Sequence, residues 1–256
     1  MKALGNYIDI HSHVLWGIDD GSRSLDETIE LCYMAWRSGT RHLFLTPHLI
    51  YWESAADLYD EREWKAEQLV EILSDEGIDI RIHKGFEILC DDDIFGIKYF
   101  KPYTLCGSRY ILIEFDFFKT SVEDVLSWCS YLRSFDLVPI VAHPERYDFF
   151  ISEESVIDKL SEMGVLFQIN SGSAAGMFGS RVRAFAEKMI NLGYVDFIGS
   201  DAHDLDSRNT DMDFCFDHYS DDVDFDLLEV AYKINPRKII KDEQIQIKRL
   251  GEFAEK

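Results

Sequence analysis

Proline is scarce in this chain. Its 256 residues include five, and no Pro-, Gly- or Ser-rich stretch interrupts them. With no linker signal, internal repeat or low-complexity tract, a single domain spanning 1–256 is expected. Long apolar runs are missing too: none reaches the roughly 18 residues that a helical membrane span requires. The start "MKALGNYIDI" runs almost directly into a strand pattern and leaves no room for a secretory leader, so a cytoplasmic location is expected. Cysteine offers no framework. Cys32, Cys90, Cys106, Cys129 and Cys215 are odd in number, irregularly spaced and without a C-x-x-C pair, which argues for reduced, mostly buried thiols and against disulfides or thiolate zinc sites. Positive charge is the other shortage. Against 48 acidic residues stand 26 Lys and Arg, for a net charge of −22. Such a surface repels a phosphate backbone, which excludes nucleic acid as a partner. Any anionic ligand must be drawn in by positive charge held locally.

What is present is a large apolar fraction, 46% hydrophobic and 14% aromatic, enough for a sizeable core. Seven short strand-like runs alternate with helical patterns: "YIDIHSH", "RHLFLTPH", "IRIHKGFEI", "YILIEF", "VPIVAH", "VLFQIN" and "DFIGSDAH". That rhythm predicts parallel strands joined by helical crossovers. Ser24-Leu25-Asp26-Glu27 reads as a capping box opening a helix that ends near Gly39. Residues 57 to 76 form a charged amphipathic helix that stops at Gly77. Ser121 opens another, Ser152 one ending at Gly164, and Ser180 one ending at Gly193. A last helical stretch is expected over about 222 to 249, broken at Asn235-Pro236. An α/β barrel, closed or nearly so, is expected over its rival, an open doubly wound sheet. Polar residues end nearly every strand, as in β/α barrels, whereas an open sheet gathers them at one switch point.

Those strand ends carry the chemistry. Residues two apart on a strand face the same way, roughly 6–7 Å apart, so His11 and His13 point together, as do Asp201 and His203. Asp20 follows in the turn "DDG", His48 ends "TPH", Glu87 lies in "GFEI", and His143 opens "HPER". Glu114 places a charge in the otherwise apolar "ILIEF", where an unpaired carboxylate would be costly. The alternative for each residue singly is a surface polar group beside a turn. Nine nitrogen and oxygen donors at six strand ends argue together for metal: too many for one ion, they suit two or three divalent cations. The four carboxylates would leave three such cations a local charge of about +2, able to attract a phosphate dianion. Imidazole with carboxylate and no thiolate fits Mn2+, Fe2+ or Zn2+ and does not suit Ca2+.

The motifs "DIHSH", "TPH", "GFEI", "AHPERY" and "SDAH" resemble those of the PHP (polymerase and histidinol phosphatase) phosphoesterases. More narrowly, "HSHVLWGIDDGS", "GFEI", "LIEF", "AHPERY" and "SDAHDLDSR" resemble the bacterial CpsB/CapC/YwqE-type protein tyrosine phosphatases, over about residues 7 to 240. The resemblance implies a distorted (β/α)7 barrel with a trinuclear, typically manganese-supported site. It implies His11, His13, Glu87 and Asp201 on one ion, Glu87, Glu114 and His143 on a second, and Asp20, His48 and His203 on a third. It also implies phosphate binding by Arg146 and Arg208, and as substrate a phosphotyrosine protein, the tail of a tyrosine autokinase controlling capsule or exopolysaccharide synthesis. A small-molecule phosphatase, such as one for histidinol phosphate, and a non-catalytic PHP-like module are the alternatives. One departure stands out: where relatives often carry Pro-Pro after the second arginine, this chain has Asn209-Thr210, so a looser loop is expected there. A cysteine-dependent mechanism is excluded. Its C-x5-R signature would need arginine where the chain has Ser38, Gly96, Leu112, Phe135 and Asp221.

Several residues invite plainer readings. His42, His83 and His218 are expected to be structural, and Asp19 to cap the "DDG" turn. Asn170 is a turn former or a substrate contact. Tyr51, Trp52 and Tyr59 either line the cleft for an aromatic ring or pack beneath a loop. The acidic stretch 217 to 226 is expected to be a solvated loop leading to a helix.

Overall fold

The computed structural model describes residues 5–213 and 225–253. All seven expected strand lines are present and parallel, two of them broken. β1 (Tyr7–Asp9) pairs with β2 (Thr40–Leu45), and β2 with β4 (Arg81–Lys84). The second and third lines resume as β3 (His48–Leu49) and β5 (Glu87–Leu89). These continue a six-stranded order β3-β5-β6-β7-β8-β9 with β6 (Tyr110–Glu114), β7 (Val138–Ala142), β8 (Leu166–Asn170) and β9 (Phe197–Gly199). The breaks have local causes. Pro47 has no N–H for a ladder. At Gly85 the backbone passes so close to Leu105 that a Cβ would lie 2.4 Å from its side chain.

The first and last lines also meet. Ser12 and Ala202 form a parallel bridge, with His13 N donating to Ala202 O (2.9 Å) and Asp201 N to His11 O (2.8 Å). The strand lines therefore follow one another round in chain order, the ring joined by one bridge in place of a ladder. The parallel α/β class is as expected, and this order, in two sheets joined by one bridge, is compatible with the distorted (β/α)7 barrel that the resemblance implies.

Period-two alternation sorts the side chains. Tyr110, Leu112, Ile140, Ala142, Leu166 and Phe197 pack together in one cluster. Their neighbours Ile111, Ile113, Val141, Phe167, Ile169 and Ile198 face the helical layer. That layer includes α1 (Leu25–Arg37), α2 (Ala55–Asp75), α3 (Val122–Arg133), α4 (Asp148–Ser152), α5 (Ser155–Glu162), α6 (Ser171–Ala174) and α7 (Ser180–Asn191). Among the described residues no helix is long and apolar enough to cross a membrane.

Helix starts follow capping chemistry, with corrections. Ser121 and Asp124 form a full capping box, whereas at α1 only the Ser24 half forms, because the Glu27 carboxylate turns to Arg23. Ser152 does not open a helix. It ends α4, and α5 begins at Ser155. The expected final helix is also shorter: α8 (Phe225–Glu229) runs through a π-helical turn (Val230–Ile234) into α9 (Asn235–Ile240). Pro236 does not break it, because it sits in the first turn of α9, where a missing N–H costs nothing. Beyond Lys241 the chain leaves the helix, with Asp242 in the left-handed region at φ 52°. Cys215, His218 and residues 217–224 of the acidic stretch lie outside the described residues.

Candidate metal centre

All nine donor residues converge where the strands end. Within 4.8 Å of one another lie donor atoms of four overlapping groups: His13, Asp20, His48 and His203; His11, Glu87 and His143; His11, His13 and Asp201; and His48, Glu87 and Glu114. The first three overlap the expected sharing of ligands and add His13 to the group of Asp20, His48 and His203. Glu114 lies 2.7 Å from His48 Nδ1, a closeness that its expected grouping with Glu87 and His143 does not include. Glu87 is the hub. Fully buried, it reaches His11 Nε2 and His13 Nε2 at 3.2 Å, His48 Nδ1 at 3.0 Å and His143 Nε2 at 2.9 Å.

The donors fit divalent cations on an observation independent of any motif. Glu87 Oε2, Asp201 Oδ1, His48 Nδ1 and His203 Nε2 are buried close to one another or to neighbouring donors, yet none makes a well-formed hydrogen bond, among the described residues, and all face this cluster. Buried polar atoms left so are costly unless something else satisfies them. Charge agrees. Burial pulls the His11 imidazole down, but Glu87 and Asp201 outweigh it and push its pKa to about 9. Glu87 itself, despite burial, is held well below the usual carboxylate range by His11 and His48. The imidazoles of His203 and His48, 3.4 and 3.3 Å away, likewise hold Asp20 low. The anionic cluster favours positive charge, here protons, in the place of cations.

Backbone strain accompanies the site. His143 (φ 36°) and Asp201 (φ 52°) both adopt the left-handed region that β-carbon-bearing residues avoid, and each redirects the chain just past its strand. The opening "DDG" turn folds back on His13: Ser22 N donates to His13 O at 3.0 Å, and a Cβ on Gly21 would lie 2.0 Å from that oxygen.

Asp19 does more than cap this turn. Its Oδ1 accepts from Gly21 N, as a turn cap would, but Oδ2 accepts from His13 Nδ1 at 2.8 Å and from His48 N at 3.1 Å. Asn170 is neither plain turn former nor exposed contact. It is buried and donates from Nδ2 to Asp201 Oδ2 at 2.6 Å. Gln168, which the sequence did not flag, meets His11 Nδ1 at 2.7 Å. The available signal was parity: Gln168 and Asn170 continue the inward row of Leu166 on a strand that otherwise reads as apolar.

Arg146 and Arg208 stand together at the rim, donating to the same Asp201 Oδ2 at 3.0 and 2.6 Å. The Arg146 guanidinium lies over the rings of Phe117 (5.2 Å) and Phe178 (4.5 Å). The Arg208 loop is not loose. Asp204 Oδ1 accepts from the backbone N–H of Asp206, Ser207 and Arg208, and Asn209 binds Asp206 O and Asp211 N, so side-chain bonds take over what proline would have stiffened.

Other expectations resolve outside the site. His42 Nδ1 meets His83 Nε2 at 2.8 Å within β2 and β4, upstream of the donors on both strand lines, as structural histidines. Trp52 packs edge-on against Phe100 and Tyr103, and Tyr59 lies under the Arg62 guanidinium, so neither forms an open platform for a ring. Tyr51 alone of the three is largely exposed. It lines a groove of about 580 Å3 with Ile50, Leu89 and Asp116, each two residues beyond a donor. Three of the described cysteines are buried; the fourth, Cys106, is exposed as a residue, but partial desolvation of its thiol pushes the pKa up to about 11, the opposite of an activated nucleophile.

Residues 7–241 match the family model for capsular polysaccharide synthesis, CpsB/CapC. The chain is similar to the tyrosine-protein phosphatase CpsB of Streptococcus pneumoniae, 32% identical over 93% of this chain and all of that one. It is also similar to the tyrosine-protein phosphatase YwqE of Bacillus subtilis, 32% identical over 79% of each chain. A solved structure from work on YwqE and CpsB, described as metal-dependent tyrosine phosphatases, covers 97% of this chain at 27% identity with a TM-score of 0.79.

Proposed function

The chain belongs to the CpsB/CapC family, and on that premise we propose that it is a metal-dependent protein tyrosine phosphatase acting on a tyrosine autokinase tail in capsule or exopolysaccharide synthesis. The observation that carries the reading is the set of buried, unpartnered donors around Glu87, beside two arginines on one carboxylate oxygen.

The donor set suits two or three divalent cations, Mn2+ first. His11, His13, Glu87 and Asp201 would hold one, Glu87, Glu114 and His143 a second, and Asp20, His48 and His203, with His13 near, a third. Cations there supply Lewis acidity and lower the pKa of water toward neutrality, which hydrolysis of a phosphomonoester needs. The protein's own groups do the rest. Arg146 and Arg208 bind the non-bridging phosphate oxygens by charge-assisted hydrogen bonds that strengthen as charge builds in the transition state. Phe117 and Phe178 hold the Arg146 guanidinium in place by cation–π contact, so less freedom is lost when phosphate binds. The overall change is water plus phosphotyrosine to phosphate plus tyrosine. The P–O(aryl) bond breaks and the phenolate, of pKa about 10, recovers a proton from solvent without a strong general acid.

The test is chelation and refilling. Activity on a phosphotyrosine peptide should vanish on removal of metal and return with Mn2+. The peptide should be hydrolysed better than a phosphoserine peptide or histidinol phosphate. Full activity in metal-free protein would overturn the reading, and preference for histidinol phosphate would redirect it to a small-molecule phosphatase.

A further inference from the structure

Strand β8 carries two buried amides that touch the centre without belonging to the donor set. Gln168 and Asn170 are two residues apart and share a face. Gln168 Oε1 faces His11 Nδ1 at 2.7 Å, while its Nε2 donates to Asn170 Oδ1 at 3.0 Å and to Ile169 O at 2.7 Å. Asn170 Nδ2 then donates to Asp201 Oδ2 at 2.6 Å. Each amide has one orientation that satisfies all its neighbours. Turning Gln168 over would set its oxygen against the Ile169 carbonyl, and turning Asn170 over would set its oxygen against a carboxylate.

The chain of bonds fixes two things on either side of β8. With Oε1 as acceptor, His11 carries a proton on Nδ1 and turns Nε2, the nitrogen a cation would take, toward Glu87 and Asp201. With Oδ2 occupied by Asn170 and both arginines, Asp201 is left with Oδ1, buried and unpartnered, facing the histidines. Two further features support this arrangement. A Cβ on Gly199 would lie 2.9 Å from His11 Cβ and 3.1 Å from Gln168 Nε2, so a residue with no side chain stands where the two approach. The backbone of Asn170 is pinned as well: its N–H donates to Oε1 of the buried Glu145 (2.9 Å), which also accepts from the Ser173 hydroxyl (2.6 Å) and lies between His143 and Arg146 in the chain.

We propose that Gln168 and Asn170 act as one positioning unit, a buried amide relay that presets His11 Nε2 and Asp201 Oδ1 as cation ligands and reserves Asp201 Oδ2 for the arginines. This rests on the metal-centre reading above. When substrate phosphate draws the arginines away, Asn170 keeps Oδ2 paired, and the carboxylate does not rotate out of the centre.

The experiment is a calorimetric titration of metal-stripped, full-length protein with Mn2+, using wild type, Gln168→Met, Gln168→Glu, Asn170→Ala and the Gln168→Met/Asn170→Ala double variant. Circular dichroism of each metal-free protein checks the fold. Gln168→Met and Asn170→Ala should each weaken an ion about 10–100-fold. The double variant should lose about what the worse single variant loses, because one relay is broken in either case. Gln168→Glu gives up the donation to Asn170 and sets an oxygen against Ile169 O, but keeps the acceptor for His11, and should bind Mn2+ more tightly than Gln168→Met. If Gln168 merely filled space, the order would reverse, since Met matches its shape without burying charge. Unchanged affinities, losses that multiply in the double variant, or Met binding as well as Glu would each overturn the relay. Should Gln168→Met not fold, Asn170→Ala alone decides by the same affinity criterion. Failure of wild type to take up Mn2+ would instead sink the functional reading.

Discussion

Asp19 accepts the Nδ1 proton of His13 at 2.8 Å and thereby turns the His13 Nε2 toward Glu87 and Asp201. A carboxylate behind a ligating imidazole raises its basicity and fixes its tautomer. Asp19→Ala is therefore expected to weaken Mn2+ binding about 10–100-fold, read by titration of the stripped protein. A residue that only capped the turn would lower the melting temperature and leave the titration unmoved.

Glu87 reaches four histidines with no exposed surface. Removing its charge from a buried ionic cluster should cost about 3–5 kcal/mol of ion-pair energy. Glu87→Gln should therefore lose at least one equivalent of metal by elemental analysis. Phosphatase activity should fall about a hundred- to several-thousand-fold, the same free energy expressed as a rate. Retention of the full metal complement would contradict its place at the hub.

The two arginines predict a split in kinetics. Lysine keeps the charge but cannot reproduce the planar fork, so Arg146→Lys and Arg208→Lys should both lower kcat/KM, by about tenfold or more. Phe178→Ala leaves Arg146 in place but frees its guanidinium on one side, at a cost of about 0.5–2 kcal/mol in phosphate binding. Its signature should be a raised KM, with the metal titration unchanged.

His83 supplies a pH dependence far from the centre. Burial, then the nearby His42 and Arg81, lower its pKa from 6.5 to about 4. The unfolded chain therefore binds more protons than the folded one between those values. Stability present above pH 6.5 is lost as pH falls toward 4, on the order of 1–3 kcal/mol. Urea unfolding of metal-free protein at stepped pH should show this loss, reduced in His83→Gln. Equal pH dependence in the two proteins would show that His83 does not carry it.

Trp52 offers a contrast between packing and recognition. With its ring against Phe100 and Tyr103, Trp52→Ala should lower stability by about 3–5 kcal/mol if the space does not collapse. Its effect on a phosphotyrosine peptide and on a small aryl phosphate should be alike. A selective loss on the peptide would give Trp52 a place in substrate recognition after all.

Sequence by itself determined the strand rhythm, the parallel α/β class and the set of donors, because those depend on local spacing. H-x-H, D-x-H and a charge inside "ILIEF" follow from which side a strand residue faces, and the ends of strands are set by short-range turn chemistry. Capping was legible for the same reason where it is local, as at Ser121, and misled where a neighbour competes, as with Arg23 drawing Glu27 from its box. Only the tertiary structure decided what stands behind the donors. Asp19 reads as a turn cap and Gln168 draws no notice in an apolar strand until distant parts of the chain come together, His11 lying 157 residues from its amide partner. The Arg208 loop is likewise held by carboxylate and amide bonds whose partners a missing proline did not reveal. Local pattern fixes which atoms can bind. Contacts between segments far apart in sequence decide which way those atoms face.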